Sequence, residues 1–330
     1  MLQLHNSTPF AASMALFPNE DAVDTLYIIV KATFNINNQL TLADEQTPPV
    51  AADVYWAEPG KSSIKYVSDL HTGKPATDII MLGHACAPDK QEVSQLDVKL
   101  SVGDISKTVR VFGDRQWKNG RITSPLPFTS MAMVYEKAYG GVRVQNERVI
   151  EADLRNPMGR GFAGSRHAED MNGVPLPNLE DPGHLIQDIS DVPLPACFAA
   201  CAPNWQPRVD YAGTYDEQWQ TTRAPYLPQD FDKRFLNAAH PDLVYPGFLQ
   251  GGERVEITHM HPSGRLAFTV PKVNMMTRVL IADEEITPGF ELETLLLEPN
   301  RLLMSLVWRA AVTCDKKALK ISEVRIALSR

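Results

Sequence analysis

Apolar residues along this chain follow the period of β-strands towards both ends and lose any period in the middle. Residues 26–36, LYIIVKATFNI, are dense in β-branched and aromatic side chains. Their first part is apolar on both faces, which predicts a buried strand. Asn37-Asn38 offers a turn, residues 39–43 a returning strand, and Thr47-Pro48-Pro49 a stop. Residues 79–85 and 93–102 read as further strands. Residues 105–112 alternate Ile105, Lys107, Val109 and Val111 against Ser106, Thr108, Arg110 and Phe112, with Gly103-Asp104 as a hairpin turn before them. Asn119-Gly120 marks another turn, between Trp117 and Ile122. After Gly251-Gly252 the pattern returns in residues 253–259 and 265–270, around Pro262-Ser263-Gly264. Residues 278–282, 291–297, 301–312 and 319–327 complete it. The fold expected is mainly β, with antiparallel sandwich- or barrel-like units. Residues 1–155 and 251–330 supply the β units. They are expected to pack as two units bridged by residues 156–250, with one continuous domain as the alternative.

The middle differs in kind. Prolines crowd it, among them Pro175, Pro177, Pro182, Pro193, Pro195, Pro203 and Pro207. Proline fixes φ and removes a donor, so long strands and helices are not expected there. Only residues 230–239 predict a short helix, ended before Pro241. Residues 205–242 nevertheless gather Trp205, Tyr211, Tyr215, Trp219, Tyr226, Phe231 and Phe235. Rings of that area want burial, and the polar tips of Tyr and Trp want partners. We therefore expect a long, ordered, Pro- and aromatic-rich irregular segment. It would be pinned by its rings and by ion pairs of Asp230 or Asp232 with Arg223 or Arg234, with the rest of the chain as its scaffold.

At 330 residues the chain can bury a large core. The net charge of −8 argues against a general phosphate-backbone binder, so no nucleic-acid partner is expected. No apolar run approaches the roughly 18 residues of a membrane span. A basic stretch followed by an apolar one is missing from the start, so a cytoplasmic location is expected. Four cysteines in this length do not suggest a disulfide framework.

Several motifs invite a chemical reading. Residues 159–164 match GxGxxG literally. A dinucleotide site needs a strand before those glycines and a helix after them. Here Arg155-Asn156-Pro157 precedes and Ser165-Arg166-His167 follows, so a tight backbone turn is the favoured reading. His259-Met260-His261 would put two imidazoles on one strand face, without a visible third ligand. Cys197, Cys201 and His184 lack zinc-motif spacing, and buried free thiols beside Phe198 fit better. Asp230-Phe231-Asp232 resembles a metal-binding acidic pair, but Lys233 and Arg234 favour ion pairing. Ser165, His167 and Asp170 lie together in sequence, which does not make a triad in space. Gly113-Asp114-Arg115-Gln116-Trp117 ends a strand with a charged pair and an indole. We expect Asp114 and Arg115 to pair with the central segment while Trp117 packs. The residues singled out as a partner-binding or structural cluster are Asp114, Arg115, Trp117, Trp205, Tyr215, Trp219, Asp230, Asp232 and Arg234. No catalytic residue, metal ligand or cofactor is assigned.

A set of short motifs runs through most of the chain. Near the start are Thr8-Pro9-Phe10, Val30-Lys31-Ala32-Thr33-Phe34, Ser68-Asp69-Leu70, Lys74-Pro75 and Thr77-Asp78. Gly113-Asp114-Arg115 with Trp117, Tyr135-Glu136, Tyr139-Gly140-Gly141, Asn156-Pro157, Gly159-Arg160-Gly161-Phe162 and Leu176-Pro177-Asn178-Leu179-Glu180 follow. Ala212-Gly213-Thr214-Tyr215-Asp216 with Trp219, Leu227-Pro228, Asp230-Phe231-Asp232, Arg234-Phe235 and Gly251-Gly252-Glu253 complete the set. In this combination, over residues 8–309, the chain resembles a bacterial family long labelled as of unknown function, whose genes sit beside type VI secretion spike and effector genes. Tyr139, where Phe is more usual, and the acidic insert at residues 169–171 are mild departures. The resemblance implies a non-enzymatic adaptor or chaperone that binds a toxin effector and loads it onto the VgrG spike or its PAAR-type tip. The competing expectations are a metal-assisted hydrolase using Asp230, Asp232, His259 or His261, and a structural piece of the spike.

Overall fold

The computed structural model of the chain describes residues 2–36 and 40–329, and the expected turn at Asn37-Asn38 lies outside them. The large sheets take, in chain order, β1 (Gln3–Asn6), β2 (Ala11–Pro18), β3 (Asp24–Asn35), β4 (Thr41–Leu42), β5 (Asp78–Met81), β6 (Gln95–Val102), β7 (Ile105–Phe112) and β8 (Leu179–Glu180). After the central segment come β9 (Arg254–Thr258), β10 (Arg265–Thr269), β11 (Met275–Ile281), β12 (Glu284–Ile286), β13 (Glu291–Glu298), β14 (Leu303–Thr313) and β15 (Ile321–Leu328). The protein is mainly β.

A six-stranded sheet runs β2-β3-β14-β13-β5, with β4 added on β3. A five-stranded antiparallel sheet runs β8-β7-β6-β9-β10, and a four-stranded one β1-β15-β11-β12. Every one of these sheets is open. The expectation of two β units packed side by side gives way to an interleaved framework. β3 pairs with β14 along its whole length, from Leu303↔Asn35 to Thr313↔Thr25. β6 likewise pairs with β9. β1 pairs in turn with β15, so strands from both ends of the chain share all three sheets, and one continuous core cluster draws on all of them.

Most expected strands appear within a residue or two. The Gly103-Asp104 hairpin joins Val102↔Ile105, and the Asn119-Gly120 turn joins Lys118↔Arg121. Residues 79–85 break into β5 and a short strand, His84–Cys86, at Gly83, where a Cβ would lie 2.0 Å from Asn300 Oδ1. β9 stops at Thr258 because His259 takes a left-handed φ of 59°. His259 and His261 therefore do not share a strand face. The helix expected at residues 230–239 is reduced to a single 3₁₀ turn, Lys233–Leu236. Beyond it, Asn237 Nδ2 and Ala238 N donate to the Asp78 carboxylate at 2.9 and 2.8 Å, which draws the chain out of helical shape. The helix of the segment is instead α1 (Glu217–Thr222), begun by Asp216, whose carboxylate accepts from Trp219 N at 2.8 Å.

β3 is buried on both faces for different reasons. Leu26, Ile28, Val30, Ala32 and Phe34 enter the main core. On the other face Tyr27 and Ile29 pack with Val307 and Phe17. Further along that face lies a buried ionic network. Lys31 Nζ pairs with Asp69 at 3.3 Å. Arg309 Nε pairs with Glu293 at 2.7 Å and Nη2 donates to the Asp69 carbonyl. Lys74 N donates to Glu293 at 2.7 Å, and its Nζ pairs with Asp78 at 2.8 Å. Glu293 sits at a register shift in β13, and such a bulge re-aims a side chain. His71 accepts from Arg309 Nη2 at 3.1 Å; burial, then the Arg309 and Lys74 charges, push its pKa well below the usual histidine value. Three cations thus face three anions with a neutral imidazole between them.

Removing one partner of such a pair strands the other charge in the interior. Asp78→Ala is expected to destabilise the protein by roughly 3–5 kcal/mol in urea unfolding. Lys74→Met combined with Asp78→Asn is expected to cost less than Asp78→Ala alone.

Candidate functional site

The central segment is ordered by the framework beneath it. Residues 196–202, ACFAACA, run irregularly through the core and are buried throughout. Small side chains allow that close passage. Met81 N donates to the Phe198 carbonyl at 3.0 Å, stitching the run to β5. Trp205 is only 2% exposed and meets Tyr135 edge to face at 5.3 Å. Arg208 is buried and donates to the carbonyls of Cys201 and Phe235, at 2.6 and 3.0 Å. It thereby closes the start of the segment onto its end.

Above this base lies a groove of about 330 Å³. Its walls include Tyr135, Arg155, Leu194, Pro195, Pro207 and Pro241, and Cys201, Gln206, Asp210, His240 and Asp242 also border it. Its polar groups are already engaged. Arg155 pairs with Asp153, Lys107 Nζ donates to Asp242 at 2.8 Å, and His240 Nδ1 accepts from Asp242 N at 3.2 Å. The Cys201 thiol meets the Tyr135 hydroxyl at 3.0 Å, and burial pushes its pKa up, which makes it a poor nucleophile. What the groove offers outward is chiefly apolar. Leu194 on its wall is 64% exposed, and Leu154, Val192 and Val209, one or two residues in sequence from wall residues, are 40–60% exposed. An ordered apolar surface with a polar rim suits protein recognition.

The residues singled out from sequence divide into separate groups. Asp114 is exposed, and Arg115 is buried against Glu180 and the Pro177 carbonyl with its guanidinium 3.7 Å from the Phe112 ring. The expected pairing of Asp114 and Arg115 with residues 205–242 is replaced by pairing with Asn178 and Glu180. Trp117 packs in a satellite core with Tyr139, Met171, Leu176 and Ile186. Trp205 belongs to the main core. Tyr215 and Trp219 form an edge-on pair at 4.7 Å on the outside of the segment, with Tyr215 54% exposed. Asp230 ties down that loop by accepting from Thr214 N and Oγ1 at 2.9 and 2.7 Å. Asp232 pairs with Arg234 as expected, and Arg234 lies 4.3 Å above the Tyr211 ring. Arg223 instead donates to the carbonyls of Leu227 and Glu20.

Asp230, Asp232, His259 and His261 are not brought together. His259 Nδ1 lies 2.8 Å from the Asp97 carbonyl and His261 Nδ1 2.8 Å from Ser263 Oγ. Among the described residues no group of three or more His, Cys, Asp or Glu is placed to hold a metal. The GxGxxG glycines serve backbone packing, since a Cβ on Gly159 would lie 2.5 Å from Asn156 Nδ2 and 2.8 Å from the Ala138 carbonyl. Cys197 and Cys201 are buried free thiols, and His184 is exposed away from the core. No helix among the described residues is long and apolar enough to cross a membrane.

Of the groove walls, Leu194 and His240 belong to no sequence motif, while Tyr135 enters the sequence reading only within Tyr135-Glu136 and Pro195 only as one of many prolines. The buried charges Glu293 and Arg309 were not singled out from sequence. A charge inside an otherwise apolar strand, as in Leu303–Thr313, was the available signal.

A family model described as "Uncharacterized protein conserved in bacteria (DUF2169)" matches residues 21–309. No curated protein and no solved structure matches the chain.

His240 gives the groove wall a measurable signature. Burial, then the Lys107 charge, lower its pKa from 6.5 to about 4. The unfolded chain takes up this proton from about pH 6.5 downward while the folded protein does not. Stability is therefore lost on acidification, by up to about 1.4 kcal/mol per pH unit from this residue. His240→Asn retains an acceptor for Asp242 N and is expected to flatten that part of the slope in urea unfolding at pH 7 and pH 5. The similarly depressed His71 keeps its own share.

Proposed function

The chain belongs to this uncharacterised family conserved in bacteria, and from that footing we propose that it is a non-enzymatic adaptor or chaperone in the bacterial cytoplasm. It binds a type VI secretion effector and helps load it onto the VgrG spike or its PAAR-type tip. One observation carries the reading: the exposed apolar surface of the central region, held in a fixed shape by a buried framework. Leu154, Val192, Leu194, Val209, Tyr215 and Tyr226 present it. These residues leave large apolar areas in water, and the stretch that carries Val209, Tyr215 and Tyr226 is pinned by Arg208, Asp78 and Asp230. A preorganised surface loses little conformational entropy when a partner covers it. A chaperone needs such a surface to cover an apolar part of its client until transfer.

The test is co-purification of the tagged chain from its native lysate, with partners identified by mass spectrometry. Recovery of a toxin-like protein together with spike or tip proteins is expected. Leu194→Asp with Tyr215→Ala is expected to weaken capture at least tenfold, about 1.4 kcal/mol, with the melting temperature little changed. Undiminished capture by that double variant would move the interface elsewhere. Absence of any partner while the effector is expressed would defeat the adaptor reading.

A further inference from the structure

β2 is the free edge of the six-stranded sheet, and no strand among the described residues pairs with its outer side. It pairs with β3 over eight residues without a register shift, from Ala11↔Lys31 to Pro18↔Asp24. Among the described residues no backbone hydrogen bond reaches Ala11–Pro18 from the other side. Free edges are normally blunted by charge, proline, a bulge or shortness. Other edges here follow that rule. β12 spans three residues and begins Glu284-Glu285, β5 spans four and is bridged by Val244, and β10 opens on Arg265. β2 reads AASMALFP, with no charge at all and proline only at its last position. Its outward-facing backbone donors and acceptors are unpaired, and they lie among uncharged side chains.

We propose that β2 pairs antiparallel with β2 of a second copy of this chain, about a twofold axis at Met14, to form one continuous sheet. The sequence of the strand selects both the partner and the register. A twofold axis perpendicular to the sheet keeps each side chain on its own face, so only residues of equal parity can stand opposite. With Met14 opposite Met14, Ala11 faces Phe17, Ala12 faces Leu16 and Ser13 faces Ala15. Apart from the Met14 pair on the axis, each large side chain then meets a small one, and no like charges meet. Ala12 and Met14 already lean on the main core, and Leu16 is 43% exposed, so the paired strands extend an existing apolar surface.

The test is the mass of the purified 330-residue chain in solution by sedimentation equilibrium at tens of micromolar. The expected species is a dimer of the 36.7 kDa chain. Ala12→Lys with Leu16→Lys sets like charges opposite each other in both copies and is expected to weaken the dimer roughly tenfold or more. Ala12→Lys with Leu16→Glu sets opposite charges there and is expected to restore it. Met14→Cys is expected to give a disulfide-linked dimer on mild oxidation, while Leu16→Cys, facing Ala12, stays largely unlinked. The cysteine pair keeps the test informative if the lysine variants fold poorly. A monomeric parent chain, a dimer indifferent to both charge variants, or equal cross-linking from positions 14 and 16 would each overturn the proposal.

Discussion

The buried ion network on the outer face of the six-stranded sheet is the constraint on which the rest of the structure depends. Lys31, Arg309 and Glu293 stand on three neighbouring strands, and Asp69, Lys74 and Asp78 come from the chain that crosses them or enters the sheet. Taking six charges out of water is costly, and their mutual attraction offsets this only with good geometry and full hydrogen bonding. The network comes close to that condition. Asp78 alone receives Lys74, Asn237 and Ala238, and Asp69 receives Lys31 and Val50 N. A hydrophobic isostere could supply as much stability but could not say which loop sits where. The directional bonds to residues 237–238 do so, and they set where the central segment ends.

That anchoring explains how a proline-rich stretch without regular structure stays ordered. Its two ends are fixed by groups that cannot be rehydrated cheaply: Arg208 and Trp205 at the start, Asn237 and Ala238 at the finish. Between them the chain can bulge into solvent without unravelling. Local devices hold the bulge, namely the Asp216 cap of α1, the Asp230 clamp on Thr214 and the Arg234–Tyr211 stack. Exposed rings such as Tyr215 are therefore consequences of a fixed backbone and not of a loose one.

Strands were legible where the period was clean. Ile105–Phe112 lies where its alternation places it, and both glycine turns join the strands they were assigned to. β2 escaped because Ala-Ala-Ser-Met-Ala carries neither alternation nor β-branched residues; pairing with β3 makes it a strand. The hairpin Val142–Gln145 and Arg148–Ala152 turns on Asn146-Glu147 in place of a glycine turn, and it was missed for that reason. The helix at residues 230–239 was misplaced because the acceptor that unwinds it, Asp78, lies about 160 residues away. The candidate site suffers most from distance. The short motifs around Lys31, Asp69, Lys74 and Asp78 each look unremarkable in sequence, and only strand pairing makes them neighbours. Aromatic content marked the central segment correctly as ordered but could not separate Trp205, which packs the core, from Tyr215, which faces water.

The β2 edge and the exposed rings of the central segment are mechanically joined. The connection leaving β2 carries Glu20, whose carboxylate pairs with Lys233 at 2.5 Å and whose carbonyl accepts from Arg223 at 2.7 Å. Arg223 follows α1, and Lys233 opens the 3₁₀ turn that leads to the Asp78 anchor. Bracing the edge strand therefore braces the segment that bears the exposed rings, and covering those rings steadies the end of the edge strand. Coupling of this kind needs no second conformation. Were both surfaces covered, each binding event would lower the entropy that the other must remove, and the two would favour each other through rigidity alone. On the proposed adaptor reading this arrangement would supply a handle for releasing an apolar client, because loosening either surface would weaken the hold of the other.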